Sequence, residues 1–227
     1  MAETALIVGV GSGLSASLAR LFAAEGMKVH LAARDTAKLA PLADEVGGVV
    51  HSCDAGRPED VERLFAAVGP ALDLAVYNAS RRARGPTATL DPAEVRDALL
   101  VGCYGGFLVA QAAAKAMLAR GSGTILLTGA SASVKGYAES APFAMQKFGL
   151  RGLAQSLARE LAPKNIHVAH FVIDGAIGRA GDPRGTGRGP DALLDPDAIA
   201  RSYLAIHRQH RSAWTWELEL RPWVEKF

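Results

Sequence analysis

Six short apolar runs, at 4–10, 28–33, 48–53, 72–77, 123–128 and 166–173, alternate with segments of helical periodicity, and this alternation restricts the fold more than any other feature of the chain. Leu14, Leu18, Leu21 and Phe22 share one stripe, as do Leu150, Leu153, Leu157 and Leu161, a spacing that lays one apolar helix face on a core. Asp91-Pro92-Ala93-Glu94 has the form of a helix start, with a capping carboxylate, a proline in the first turn and an acid that suits the helix dipole. Strands that alternate with helices join by right-handed crossovers into a parallel sheet covered on both faces. The predicted fold class is therefore α/β, doubly wound, with about seven strands.

The pattern changes after residue 173. Residues 178–190 are rich in Gly, Arg and Pro without periodicity, which predicts a mobile loop, extending to 195, over the substrate side of the domain. Asp195-Pro196-Asp197 then opens a short helix to about His207, and 215–220 alternates like a last strand. Trp214, Trp216 and Trp223 read as core and subunit packing rather than a ligand cage. With no internal repeat and a length that suits one core, residues 1–227 are read as a single domain, with 196–227 its C-terminal helix and last strand.

Composition narrows the partners. The chain is 49% apolar and 21% charged with a formal charge of +2, so no field strong enough for nucleic acid is expected, and a small-molecule substrate is the partner. No apolar run reaches the roughly 18 residues of a membrane span, and Met1-Ala2-Glu3 lacks the basic flank of a signal peptide. Cys53 and Cys103 match no metal or redox spacing and read as packed thiols in a reducing, cytoplasmic setting. The six histidines show no ligand cluster; His167 and His170 would face opposite sides of a strand, so no metal site is expected.

The most informative chemistry lies at the carboxyl ends of the strands. The first ends in Val8-Gly9-Val10-Gly11-Ser12-Gly13-Leu14-Ser15, where Gly9 permits a tight turn, Gly13 lets the backbone approach phosphate, and the helix N-terminus offers free N–H groups. The second ends Leu31-Ala32-Ala33-Arg34, room and counter-charge for a 2′-phosphate, which favours NADP(H) over NAD(H). The third ends Cys53-Asp54-Ala55, with a carboxylate to accept from an adenine amino group, and the fourth Tyr77-Asn78-Ala79-Ser80, small polar residues where backbone would meet ribose. Each is also a turn former. Ligands bind at this edge of a Rossmann-type sheet.

On these residues the chain resembles the short-chain dehydrogenase/reductase family from about residue 4 to 177. The family's T-G-x-x-x-G-x-G appears as 8–15 with Ser15 for the last glycine, and its N-A-G turn as Asn78-Ala79-Ser80. The resemblance implies that Gly9, Gly11, Ser12, Gly13 and Leu14 hold the cofactor, with Lys147 on the ribose and Gly175 and Ile177 at the nicotinamide amide. It also implies carbonyl reduction or alcohol oxidation by Asn, Ser, Tyr and Lys, general acid–base catalysis by a phenol tuned by a cation. Of these only Lys147 is present. Phe143 stands in the tyrosine place, Ala130 in the serine place with Ser131 one residue away, and Gly102 in the asparagine place; Tyr137 and Tyr104 are the phenols available as substitutes.

Two functions follow: an NADP(H)-dependent oxidoreductase with an altered proton donor, and a catalytically degenerate cofactor-binding protein serving as sensor or partner subunit. Arg81, Arg82 and Arg84 form either a solvated basic loop or a site for an anionic substrate. Helices at about 92–119 and 141–162 pair across a dimer axis in relatives, which implies a homodimer or homotetramer.

Overall fold

The computed structural model describes residues 2–179 and 181–225. Met1, Ala180 and Lys226–Phe227, which fall in the N-terminal flank, the predicted loop and the C-terminal stretch, lie outside the described residues.

Seven parallel strands form one sheet in the order β3-β2-β1-β4-β5-β6-β7: β1 Thr4–Val8, β2 Lys28–Ala33, β3 Val49–Ser52, β4 Leu74–Tyr77, β5 Gly123–Thr128, β6 Ile166–Ile173 and β7 Glu217–Leu220. Each predicted strand exists, and four are shorter than the apolar run that predicts them. The first stops at Val8 because Gly9 turns to φ +91°, and the last begins at Glu217 rather than 215.

Among the described residues seven α-helices cover the sheet: α1 Leu14–Ala24, α2 Ala40–Val46, α3 Pro58–Val68, α4 Pro92–Leu99, α5 Gly105–Arg120, α6 Ala141–Leu161 and α7 Pro196–His207. Alternate strand residues divide the core. Ala5, Ile7, Leu74, Val76 and Phe171 pack with α1 and α7, whereas Leu6, Val8, Ala75, Tyr77 and Val168 pack with α3, α5 and α6, as the two-residue period of a strand buried on both faces requires. The Phe171 and Tyr203 rings stack with centroids 3.6 Å apart, tying α7 to β6.

The caps read from sequence hold. Asp91 accepts from Ala93 N and Asp195 from Asp197 N. The helix predicted over 92–119, however, is interrupted: residues Leu100–Tyr104 form a π-helical turn between α4 and α5, a distortion found mostly at functional sites. The stretch Pro92–Arg120 is also apolar and long enough, by length and composition, to cross a membrane, which corrects the expectation that no run reaches that length. Its hydrophobicity has two causes: Val109, Ala110, Ala113 and Met117 are buried against the sheet, while Phe107 and Leu118 are exposed on the outside.

The loop after β6 has structure of its own. Ile177 bridges Leu194, Pro183–Gly185 makes a 3₁₀ turn, and Arg179 bonds both Asp197 and Ser17 Oγ. The tryptophans are not core. Trp223 is 73% exposed and donates to Pro190 O, and Trp216 is partly exposed beside Arg151; Trp214 stacks on His167.

Candidate functional site

Strand order reverses at β1, so β1 and β4 leave a crevice at their carboxyl ends. A cleft of about 680 Å³ opens there, lined by Gly9, Gly11, Ser12, Arg34, Asp54, Ala55, Asn78 and Ala79 among others. Eight residues named from the sequence thus share one cavity. Gly13, Leu14, Lys147, Gly175 and Ile177 do not line it.

The turn after β1 is fixed from below and open from above. A Cβ on Gly9 would collide with Ala79 N, so only glycine lets β1 and β4 approach this closely, while Gly11 and Gly13 have nothing within 4 Å of where a Cβ would stand. No side chain caps α1 at Gly13, which leaves its N-terminal N–H groups and positive dipole end for an anion. Ser15, in place of a third glycine, is buried; its hydroxyl donates to Gly9 O at 3.1 Å and accepts from Asn78 Nδ2 at 2.7 Å. Asn78 therefore anchors the turn.

Charge around the cleft is mostly paired. Arg20 meets Glu45 at 2.7 Å and Lys38 meets Asp35 at 2.9 Å, whereas Arg34, exposed on the rim, makes no ion pair among the described residues. Asp54 Oδ1 accepts from Gly56 N at 3.0 Å, leaving Oδ2 without a protein donor among the described residues. An open glycine turn, an unpaired guanidinium and a half-satisfied carboxylate fit a phosphorylated dinucleotide.

Around Lys147 the construction differs. Lys147 lies on α6, only 3% exposed, and its Nζ donates to Thr128 O at 2.8 Å. Burial, then the nearby Arg82 charge, push it down to about 8, against a small opposing effect of Cys103. Phe143, one turn earlier, is buried; Arg82 Cζ lies 5.2 Å and Lys147 Nζ 5.9 Å from its ring centroid.

Gly102 lies in the π-helical turn, where a Cβ would fall on the side chain of Gln146. Gln146 is fully buried, accepts from Ser80 Oγ at 3.1 Å and donates to Arg81 O at 2.8 Å. A carboxamide thus occupies the space beside residue 102, delivered by α6 and holding the turn after β4.

Ser131 lies in the 3₁₀ turn after β5 and hydrogen-bonds Asp174, a carboxylate also met by Lys135 at 3.1 Å and Arg221 at 3.0 Å. Burial alone would raise the Asp174 carboxyl; the bonds and charges outweigh it and hold it below the usual range. Behind the turn, His170 Nδ1 meets Glu217 at 3.0 Å and Nε2 meets Ser133 Oγ at 3.2 Å, which accepts from Ala130 N. A carboxylate only accepts, so Nδ1 carries the proton and Ser133 donates to Nε2. Burial holds His170 down at about 4 despite Glu217, so it is neutral at pH 7. Gly175 is covered by Pro222, whose Cδ would lie 2.6 Å from a Cβ there, and Ile177 pairs with Leu194.

Neither candidate phenol joins this group. Tyr137 is 50% exposed and its phenol makes no hydrogen bond or ring contact among the described residues, and Tyr104 stacks on Phe107 in an outer groove with Leu99, Leu100 and Cys103. Both cysteines are free, and burial pushes the Cys53 thiol up to about 11. No group of three metal-binding side chains exists among the described residues.

Sequence reasoning missed Gln146, Ser133, His170 and Asp174. A long amide immediately before Lys147 together with a glycine at 102 was the available signal for the first; the others depend on strands distant in the chain.

A family model described as short chain dehydrogenase matches residues 3–176. Trans-4-hydroxycyclohexanecarboxylate dehydrogenase of Sinomonas cyclohexanicum is 33% identical over 181 residues, covering 73% of this chain and 69% of that protein. The crystal structure of a short-chain dehydrogenase from Rhodopseudomonas palustris is 37% identical, covers 97% of this chain and 99% of its own, and superposes with a TM-score of 0.83. A metagenomic short-chain oxidoreductase in complex with NADP is 28% identical with a TM-score of 0.82, covering 97% of each chain.

Proposed function

Because the chain belongs to the short chain dehydrogenase family, we propose that it is an NADP(H)-dependent oxidoreductase of a carbonyl or alcohol substrate that works with an altered proton donor. The cleft at the β1–β4 switch point, with its open glycine turn and unpaired Arg34, carries this reading. The relative crystallised with NADP supports the cofactor class.

Gly9, Gly11, Ser12, Gly13 and Leu14 would hold the phosphates, Arg34 the 2′-phosphate, Asp54 and Ala55 the adenine, Asn78, Ala79 and Lys147 the ribose, and Gly175 and Ile177 the amide end. The bound nicotinamide supplies or accepts the hydride. Reduction leaves an alkoxide that needs a proton or strong donors, and Phe143 offers neither. The groups left are the Lys147 ammonium, protonated below about pH 8, and the Ser131 hydroxyl oriented by Asp174.

Single-turnover NADPH oxidation over a carbonyl panel tests the reading. The wild type should be slow, and Phe143→Tyr with Ala130→Ser should gain rate toward the lower end of the ~10²–10⁴-fold range of acid–base catalysis. A fast wild type abolished by Tyr137→Phe would move the donor to Tyr137. Tight NADPH binding with no turnover in any variant would favour a cofactor-binding sensor or partner subunit, a reading supported by the burial of Phe143 and Lys147.

Exposed Tyr104, Phe107, Leu118, Met145 and Phe148 on and between α4, α5 and α6 support a homodimer or homotetramer, which light scattering checks. The unpaired thiols suit a reducing, cytoplasmic setting.

A further inference from the structure

Three arginines follow the β4 turn, and their surroundings differ. Arg81 is occupied: Nη1 bonds Asp97 Oδ2 at 3.2 Å. Arg84 is exposed, with no hydrogen bond, ion pair or ring contact among the described residues. Arg82 lies over Phe143, and Lys147 lies within 6 Å of the same centroid.

The Arg82–Lys147 pair is electrostatically incomplete. No ion pair among the described residues includes either cation, although Asp97 is close enough to take Arg81 and Arg96. Arg82 helps hold the Lys147 amine below its ordinary range, so an anion placed between solvent and these groups would relieve their repulsion. Placement is also fixed. Gln146, fully buried, bonds Ser80 Oγ and Arg81 O, so Arg82 leaves the backbone at a defined point, and the phenyl face seats its guanidinium. A planar fork of donors held this way suits bidentate recognition of a carboxylate.

Building on the oxidoreductase reading, we infer that Arg82, seated on Phe143 with Lys147 within 6 Å of the same ring centroid, is a subsite for a substrate carboxylate, so that the chain takes oxo or hydroxy acids in preference to their neutral esters. Phe143 then has a positive role, as the platform for the cation. Gln146 acts as a positioning residue for the same loop.

Calorimetric titration of the full chain with oxamate, acetoacetate and their methyl esters, with and without saturating NADPH, tests the inference. Each acid should bind at least about tenfold more tightly than its ester. Arg82→Gln should lose about that factor, Arg82→Lys less, and Arg84→Ser less than about twofold, while NADPH affinity moves less than about twofold in all three. Ser80→Ala should weaken acid binding by releasing the Gln146 clamp. Equal affinity for acid and ester, unchanged acid binding in Arg82→Gln, or binding of neither acid overturns the inference; inorganic phosphate binding as well as the acids overturns its carboxylate specificity. Acid binding that survives in a protein unable to bind NADPH would overturn the oxidoreductase reading and leave the anion subsite standing.

Discussion

The glycine turn of the cleft, proposed as its phosphate end, is built from backbone, whereas the region around Lys147 is built from side chains that lean on one another. At the first, Gly9 passes Ala79 at a distance no side chain permits, and the open space over Gly11 and Gly13 and the uncapped α1 follow from the path of the chain. At the second, Gln146 occupies the room that Gly102 leaves, clamps Ser80 and Arg81, and so fixes Arg82 over Phe143. A site made of backbone tolerates few replacements because its geometry is the fold itself. A site made of side chains can be rebuilt by linked replacements, since volume lost at one residue is available to its neighbour.

The sharpest way to break this contrast is Gly9→Ala. The new Cβ meets Ala79 N and the backbone stands at φ +91°, so the variant should lose at least ~2 kcal/mol of stability and about 100-fold in NADPH affinity. Near-normal urea denaturation and cofactor titration would show that the phosphate end is as adaptable as the other.

A smaller and reversible effect is expected at the other end. Gly102→Asn alone should destabilise by about 1–3 kcal/mol through overpacking against Gln146, and Gly102→Asn with Gln146→Ala should recover most of that. The double-mutant cycle measures the coupling directly; additive losses would mean that the two positions are independent.

Cofactor choice belongs to the phosphate end and should follow one charge. NADPH should bind about tenfold tighter than NADH, and Ala33→Asp should reverse the order by placing a carboxylate beside Arg34, the residue proposed to meet the 2′-phosphate. Fluorescence titration of both cofactors decides it, with equal affinities counting against the role of Arg34.

The mildest effect is a pH dependence that links the two ends. Lys147 titrates at about 8, so it is charged below that value and neutral above it. If it clamps the ribose, NADPH affinity should fall severalfold, on the order of a charge-assisted hydrogen bond weakened to a neutral one, as pH rises from 7 to 9. Lys147→Gln should flatten that profile, and a wild-type profile already flat over this range would remove Lys147 from cofactor binding.

Much of the fold, and the gathering of the strand-end residues along one cleft, was legible in the sequence. The strand runs, the Asp91 and Asp195 caps and the Gly9–Ser15 turn are local signals, each written within about ten neighbouring residues. Eight of the expected cofactor-side residues line one cleft because strands of a parallel sheet all end on the same edge. The reading was weaker where the result depends on residues brought together from afar. Lys147 carried a motif spacing but no sign of its burial, the exposure of Tyr137 and the outward stacking of Tyr104 on Phe107 had no sequence mark, and Trp216 and Trp223, expected in core and subunit packing, are exposed on the chain.

The sequence by itself determined the parallel α/β sheet, the glycine turn and the edge of the sheet on which the cleft opens, because periodicity and backbone permissiveness act over short stretches of chain. Only the tertiary structure decided what faces Lys147. That surface is assembled from β4, β5, the π-helical turn and α6, and packing gave the space beside Gly102 to Gln146, the ring of Phe143 to Arg82, and the proton on His170 to the nitrogen facing Glu217. Those outcomes depend on distances between residues 40 or more positions apart, as the separations of Gly102 from Gln146, Arg82 from Phe143 and His170 from Glu217 show, and such distances exist only once the sheet has closed.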